Sequence, residues 1–100
     1  MANATLAIQV LPLECDDPIN AVNAAITVIR DSGVVYEVGG METTLEGDDV
    51  DRLLELAAAA HRAALKTSSA VQSNIRLLER PSGLMTIGEK TAPFRADEGA

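Results

Sequence analysis

The chain has 100 residues, of which 47% are hydrophobic, and its formal net charge is −7 at pH 7. This length suits one domain, and a domain this small commonly gains stability by pairing with a copy of itself. The negative charge argues against a nucleic-acid partner, because a polyphosphate would be repelled.

The N-terminus lacks a basic signal segment, and no apolar run approaches the roughly 18 residues that cross a bilayer. Cys15 is the one cysteine of the sequence, so it cannot form an internal disulfide. The sequence therefore predicts a cytoplasmic protein with no membrane partner.

The first two elements are a strand and a helix. Apolar and polar side chains alternate over residues 5–13, which indicates a strand with one face turned to a core. Asp17 then precedes Pro18, an acidic cap followed by the proline typical of a first helical position. Helical spacing of apolar residues continues to Gly33, which favours a helix end.

Two short alternating segments follow, over residues 34–38 and 41–46, and a pair of glycines separates them, as in a β-hairpin. An acidic stretch then opens a second helix that extends to Leu65. Residues 70–79 return to period two and predict the last strand.

The predicted order is βαββαβ, an α+β ferredoxin-like sandwich with a four-stranded antiparallel sheet and two helices on one face. The domain is predicted to span residues 1–80, followed by a loosely ordered C-terminal tail over residues 81–100. The opposite sheet face, called the open face below, has no predicted cover within this chain. Its predicted side chains are Gln9, Val35, Glu37, Thr44, Asn74, Arg76 and Leu78.

The sequence contains no recognisable catalytic, metal-binding or phosphate-binding motif. His61 is the only histidine and lies in an apolar helical stripe, which favours a structural role over a catalytic one. Cys15 has no second thiol for redox chemistry. The acids of residues 46–51 do not follow a calcium-loop spacing, and Gly39 and Gly40 belong to no phosphate-binding motif. The sequence thus predicts no catalytic residue, no metal and no cofactor.

Two interpretations of the open face stay possible from periodicity alone. Its polar groups could line a recess that a second, stacked sheet turns into a ligand pocket. They could equally form a wet interface between copies of the chain. The open face lacks the aromatic residues on which this topology stacks RNA bases.

The segment 32–48, SGVVYEVGGMETTLEGD, resembles the central signature of the thiamine-binding protein family. Residues 60–62 and 75–77 fit the same family, and the resemblance covers roughly residues 5–80. Gly40 departs from it, since many members have proline after the preceding glycine. The resemblance implies a ferredoxin-like protein, dimeric or tetrameric, that binds thiamine or hydroxymethylpyrimidine without transforming it.

Such a ligand would need a carboxylate for the aminopyrimidine or the thiazolium charge, further hydrogen-bonding groups, and a ring on which to pack. The candidate ligand-binding residues are Gln9, Tyr36, Glu37, Glu42, Thr44, Asn74 and Arg76. The alternative function is a regulatory module whose open face docks on a partner protein. A weaker alternative is an enzyme that depends on His61.

Overall fold

The computed structural model describes residues 2–98. Its elements are β1 (Ala2–Pro12), α1 (Pro18–Asp31), β2 (Val35–Val38), β3 (Thr43–Gly47), α2 (Val50–Leu65), β4 (Val71–Leu84) and α3 (Ile87–Glu98). The four strands form one antiparallel sheet in the order β2-β3-β1-β4. The predicted ferredoxin-like βαββαβ order is therefore confirmed, with α3 as an additional helix.

Acidic side chains start both sheet-packing helices, as the sequence predicted. The Asp17 carboxylate accepts a hydrogen bond from the Asn20 backbone N–H at 3.0 Å. The Asp49 carboxylate accepts from the backbone N–H groups of Asp51 at 3.0 Å and Arg52 at 3.3 Å. Each cap satisfies donors that the first helical turn leaves unpaired, a contribution of about 1 kcal/mol.

The core lies between the sheet and the two helices α1 and α2. Leu6 of β1, Leu45 of β3, Ile29 of α1 and Leu53 of α2 are its largest fully buried side chains. Small residues on the inner helix faces let the helices approach the sheet closely; these are Ala21, Ala25, Ala57, Ala60 and Ala64. With few aromatics to fill space, the core depends on close packing of aliphatic groups.

In the part predicted as a loosely ordered tail, residues 81–98 contain the end of β4 and the helix α3. β4 continues past the predicted boundary at residue 80 to Leu84, because it stays paired with β1 as far as Ala2. The helix α3 follows. Its apolar residues are not spaced along one side of the helix, so the sequence pattern did not predict a helix there. Gly99 and Ala100, also in the predicted tail, lie outside the described residues.

The open face is also less open than predicted. The Ile87 backbone N–H, at the start of α3, donates to the Glu46 carboxylate at 2.8 Å. Near its other end, Arg95 forms an ion pair with Glu37. These contacts place α3 over the part of the open face that β2 and β3 form. The domain boundary at residue 80 and the loose order of residues 81–100 stay predictions.

Candidate functional site

The strand register gathers most of the candidate residues on the open face. Thr44 of β3 lies between Glu37 of β2 and Ala7 of β1, and Ala7 pairs in turn with Arg76 of β4. These four positions therefore form one row across the sheet. Their side chains point away from α1 and α2, because the neighbouring positions in each strand face the core.

A second polar pair lies two residues further along β1. Gln9 pairs with Asn74, and the Asn74 side-chain amide donates to the Gln9 side-chain oxygen at 3.0 Å. Gln72 donates to the Asn74 side-chain oxygen at 3.3 Å. These amides still have donors and acceptors to offer, since each carries more hydrogen-bonding capacity than these contacts use.

Two ion pairs set the electrostatics of the open face. Arg76 contacts both carboxylate oxygens of Glu42, which precedes β3. Arg95 of α3 contacts Glu37. Both pairs are partly exposed to solvent, so each contributes modestly to stability. Their effect is to hold two carboxylates in fixed places on the same face.

A recess of about 410 Å³, here called the open-face recess, lies between this row and α3. The sheet supplies Thr5, Ala7, Glu37, Glu42, Thr44, Arg76, Leu77 and Leu78, and α3 supplies Ile87, Lys90 and Thr91. Its volume is at the lower end of the range of small-molecule sites. It combines carboxylates, cations and hydroxyls in one concavity.

A second space of about 350 Å³, here called the helix-side cavity, lies between α1, β1 and the loop of residues 39–42. Its apolar lining is Ile8, Val10, Leu11, Val22, Ala25, Ile26, Ile29, Val38 and Met41. Gln9, Glu42 and Thr43 are its polar side chains. Glu42 thus borders both spaces. A third space, of about 550 Å³, contains Gln9, Met41, Asn74 and Arg76 and also reaches Glu42.

Tyr36 is the one candidate that the structure does not bring to the others. It pairs with the buried Leu45 and packs against the core, on the face opposite Glu37. The alternation of a strand requires this, because adjacent residues cannot face the same side. Tyr36 therefore lies away from the open-face recess.

His61 also lies on the helix side of the sheet. Its Nδ1 is 2.6 Å from the Ser73 hydroxyl, in a part-buried position between α2 and β4. Cys15 is partly exposed near the start of α1. Within residues 2–98, no three His, Cys, Asp or Glu side chains are grouped to hold a metal ion. Across the same residues, no helix is long and apolar enough to cross a membrane.

The α3 residues of the recess were not predicted from the sequence, although one local signal was available. Thr86 and Glu89 have the spacing of a capping box, which marks a helix start. The Thr86 backbone N–H donates to the Glu89 carboxylate at 3.1 Å, and the Glu89 N–H donates to the Thr86 hydroxyl at 3.1 Å. The hydrogen bonds from the Thr86 backbone and side chain lower the pKa of Glu89.

Comparisons with known proteins agree with the fold. The model of a family described as thiamine-binding protein matches residues 6–95. A UPF0045 protein of Clostridium perfringens is 30% identical over 96 residues, which cover 95% of this chain and all of that protein. A UPF0045 protein of Methanothermobacter thermautotrophicus is 39% identical over 67 residues, 65% of this chain and 68% of the relative.

Solved structures are similar over nearly the whole chain. A Bacillus cereus domain of unknown function, DUF77, superposes with a TM-score of 0.82 at 38% identity, covering 94% of this chain and 91% of that one. A Thermotoga maritima protein, provisionally described as a thiamine biosynthesis or salvage protein, gives a TM-score of 0.77 at 26% identity. That match covers 92% of this chain and 98% of the other.

Proposed function

The chain belongs to the thiamine-binding protein family, and on that premise we propose that it binds thiamine or its hydroxymethylpyrimidine moiety without converting it. The observation that carries this proposal is the pair of carboxylates, Glu37 and Glu42, that border a recess of ligand size. The similarity to the Thermotoga maritima protein supports the same ligand class.

The charges of the open-face recess suit the chemistry of thiamine. Its thiazolium ring is a permanent cation, and a carboxylate offsets that charge best where part of the solvent is excluded. Arg76 pairs with the Glu42 carboxylate, and Glu37 pairs with Arg95 of the exposed helix α3. A carboxylate accepts several hydrogen bonds at once, so a cationic ligand would share each of these two with its arginine.

The neutral polar groups would recognise the pyrimidine. An aminopyrimidine presents both donors and acceptors at its edge, and Gln9, Thr44 and Asn74 present both in return. A ligand that left these groups unpaired would bind less well, which gives selectivity against isosteric rings. Tyr36 has no part in this proposal, because it lies on the other side of the sheet.

We also propose that the protein acts as a homo-oligomer, either a dimer or a homotetramer, in the cytoplasm. Three large apolar side chains of β4 are substantially exposed: Ile75, Leu77 and Leu78. Within residues 2–98, the strand also has no neighbour on its outer edge. Such an edge commonly pairs with a second chain. A ligand bound near Arg76 would then lie close to the subunit interface.

Isothermal titration with thiamine, hydroxymethylpyrimidine and thiamine diphosphate tests the proposal, after light scattering has fixed the oligomeric mass. We expect saturable binding of thiamine or hydroxymethylpyrimidine, and mass spectrometry should recover the ligand unchanged. At a free ligand concentration of about 100 times Kd, the complex should gain about 2.7 kcal/mol in a thermal melt. Lack of binding by all three would reject the proposal and favour the protein-docking module.

A further inference from the structure

The helix-side cavity touches four consecutive residues of β1, from Ile8 to Leu11. Successive side chains of a strand point to opposite faces of the sheet. A space confined to one face would therefore contact the side chains of alternate residues only. Contact with all four is what a space beside the edge of β1 would make, because the backbone atoms of successive residues are accessible from there.

The strand register explains why β1 has an edge at this place. Pairing of β1 with β3 ends at Ile8 and Thr43, whereas pairing of β1 with β4 continues to Pro12. Within residues 2–98, no strand pairs with residues 9–12 on the β3 side. Instead the loop of residues 39–42 turns away, closed by a hydrogen bond of 2.8 Å from the Gly39 N–H to the Glu42 carbonyl. The resulting gap beside β1 is called the β1 notch.

The β1 notch exposes backbone hydrogen-bonding groups next to an apolar chamber. In an antiparallel strand, the N–H and C=O of one residue point to the same edge, and those of the next residue point to the other. Among Gln9, Val10 and Leu11, at least one residue therefore directs both groups into the notch. On the α1 side the small side chain of Ala25 leaves space, and Val22 and Ile26 supply apolar walls.

A carboxylate stands at the same opening. Glu42 borders the helix-side cavity and also the open-face recess, and its pairing with Arg76 fixes its orientation. A Cβ atom at Gly40, in the loop beside this opening, would meet no heavy atom within 4 Å. The site thus presents a backbone donor and acceptor pair, an apolar chamber and one anchored anion.

We infer that the β1 notch is the subsite for one hydrogen-bonding edge of a neutral, planar aminopyrimidine ring, which enters edge-on while the remaining polar groups of the ring and the rest of the ligand stay at the open face. This inference rests on the proposed function and assigns one part of the ligand to one place. The ring's adjacent amino donor and ring-nitrogen acceptor match the paired N–H and C=O of a free strand edge. Its two faces are apolar enough to lie between Val22, Ile26 and Met41.

Calorimetric titration with hydroxymethylpyrimidine, which consists of this ring and a short substituent, tests the inference through two variants of α1. Ala25→Leu fills the helix-side cavity, and we expect it to weaken binding at least tenfold while the protein stays folded. Ala24→Leu is the matched control, since Ala24 is the preceding residue on the same helix and does not line the cavity. It should bind as the unaltered protein does.

A second route covers the case in which Ala25→Leu fails to fold. In the unaltered protein with labelled alanine methyl groups, hydroxymethylpyrimidine should shift the Ala25 methyl resonance and leave that of Ala24 in place. Full affinity in a folded Ala25→Leu variant would overturn the inference, and so would an unmoved Ala25 methyl resonance in a saturated sample. Either result would leave the proposed function intact. Lack of binding by the unaltered protein would instead reject the proposed function.

Discussion

The two faces of the sheet are made by the same four strands and yet have opposite properties. Towards α1 and α2, Leu6 and Leu45 are 0% exposed and belong to one hydrophobic cluster with the alanines of the helices. Towards α3, the opposite positions of the same strands include charged and hydroxyl side chains, and these line a recess of about 410 Å³. One face therefore provides stability, and the other is free to vary its chemistry for recognition.

The largest expected effect is the loss of a core side chain. Leu45→Ala should lower the free energy of unfolding by about 2–5 kcal/mol, because it removes buried apolar area and leaves a cavity. Leu78→Ala on the open face is the matched control, since that side chain is 51% exposed. It should cost less than about 1 kcal/mol. Chemical denaturation measures both, and equal losses would contradict the assignment of stability to the helix-covered face.

The next effect concerns the carboxylate between the two spaces. Glu42→Gln keeps the shape of the side chain but removes the charge, so thiamine affinity should fall about tenfold, or about 1.4 kcal/mol. Titration calorimetry measures the change. Glu55→Gln is the control, because it alters net charge equally at an exposed position on α2. If both variants lost the same affinity, the loss would be explained by a long-range effect of net charge and not by a local contact of Glu42.

The smallest effect concerns the start of α3. Because folding lowers the pKa of Glu89, its ionised form stabilises the first turn at neutral pH. That contribution is present above the ordinary value of 4.5 and is lost as pH falls through the lowered pKa. An NMR titration should show the Thr86 amide shifting below pH 4.5. Glu89→Gln should remove this acid transition, and its persistence in the variant would assign it to another group.

Periodicity and turn residues were enough to predict the first six elements. Alternation over residues 5–13 predicted a strand with one face turned to a core, and the structure buries Leu6 and Ile8 on that face. The acids before α1 and α2 marked the helix starts that the hydrogen bonds confirm. The signals are local, so a single sequence contains them. The same alternation put Tyr36 on the core side, which separates it from the other candidate residues.

The site was less predictable, because its parts are distant in the chain. The residues Glu42 and Arg76 are 34 positions apart, and Ile87 is 41 positions from Glu46. No local pattern reports such contacts. The helix α3 also lacks an apolar stripe, so only the capping box of Thr86 and Glu89 indicated that a helix begins there.

By itself the sequence determined the order of strands and helices, the residues that face the core, and the resemblance to a family, since each is carried by neighbours along the chain. Only the tertiary structure decided that α3 covers part of the open face and that β3 stops pairing at Ile8. The first fact depends on contacts between residues far apart in the chain, and the second depends on where one strand ends relative to another. Such a register is an outcome of packing the whole sheet against its helices.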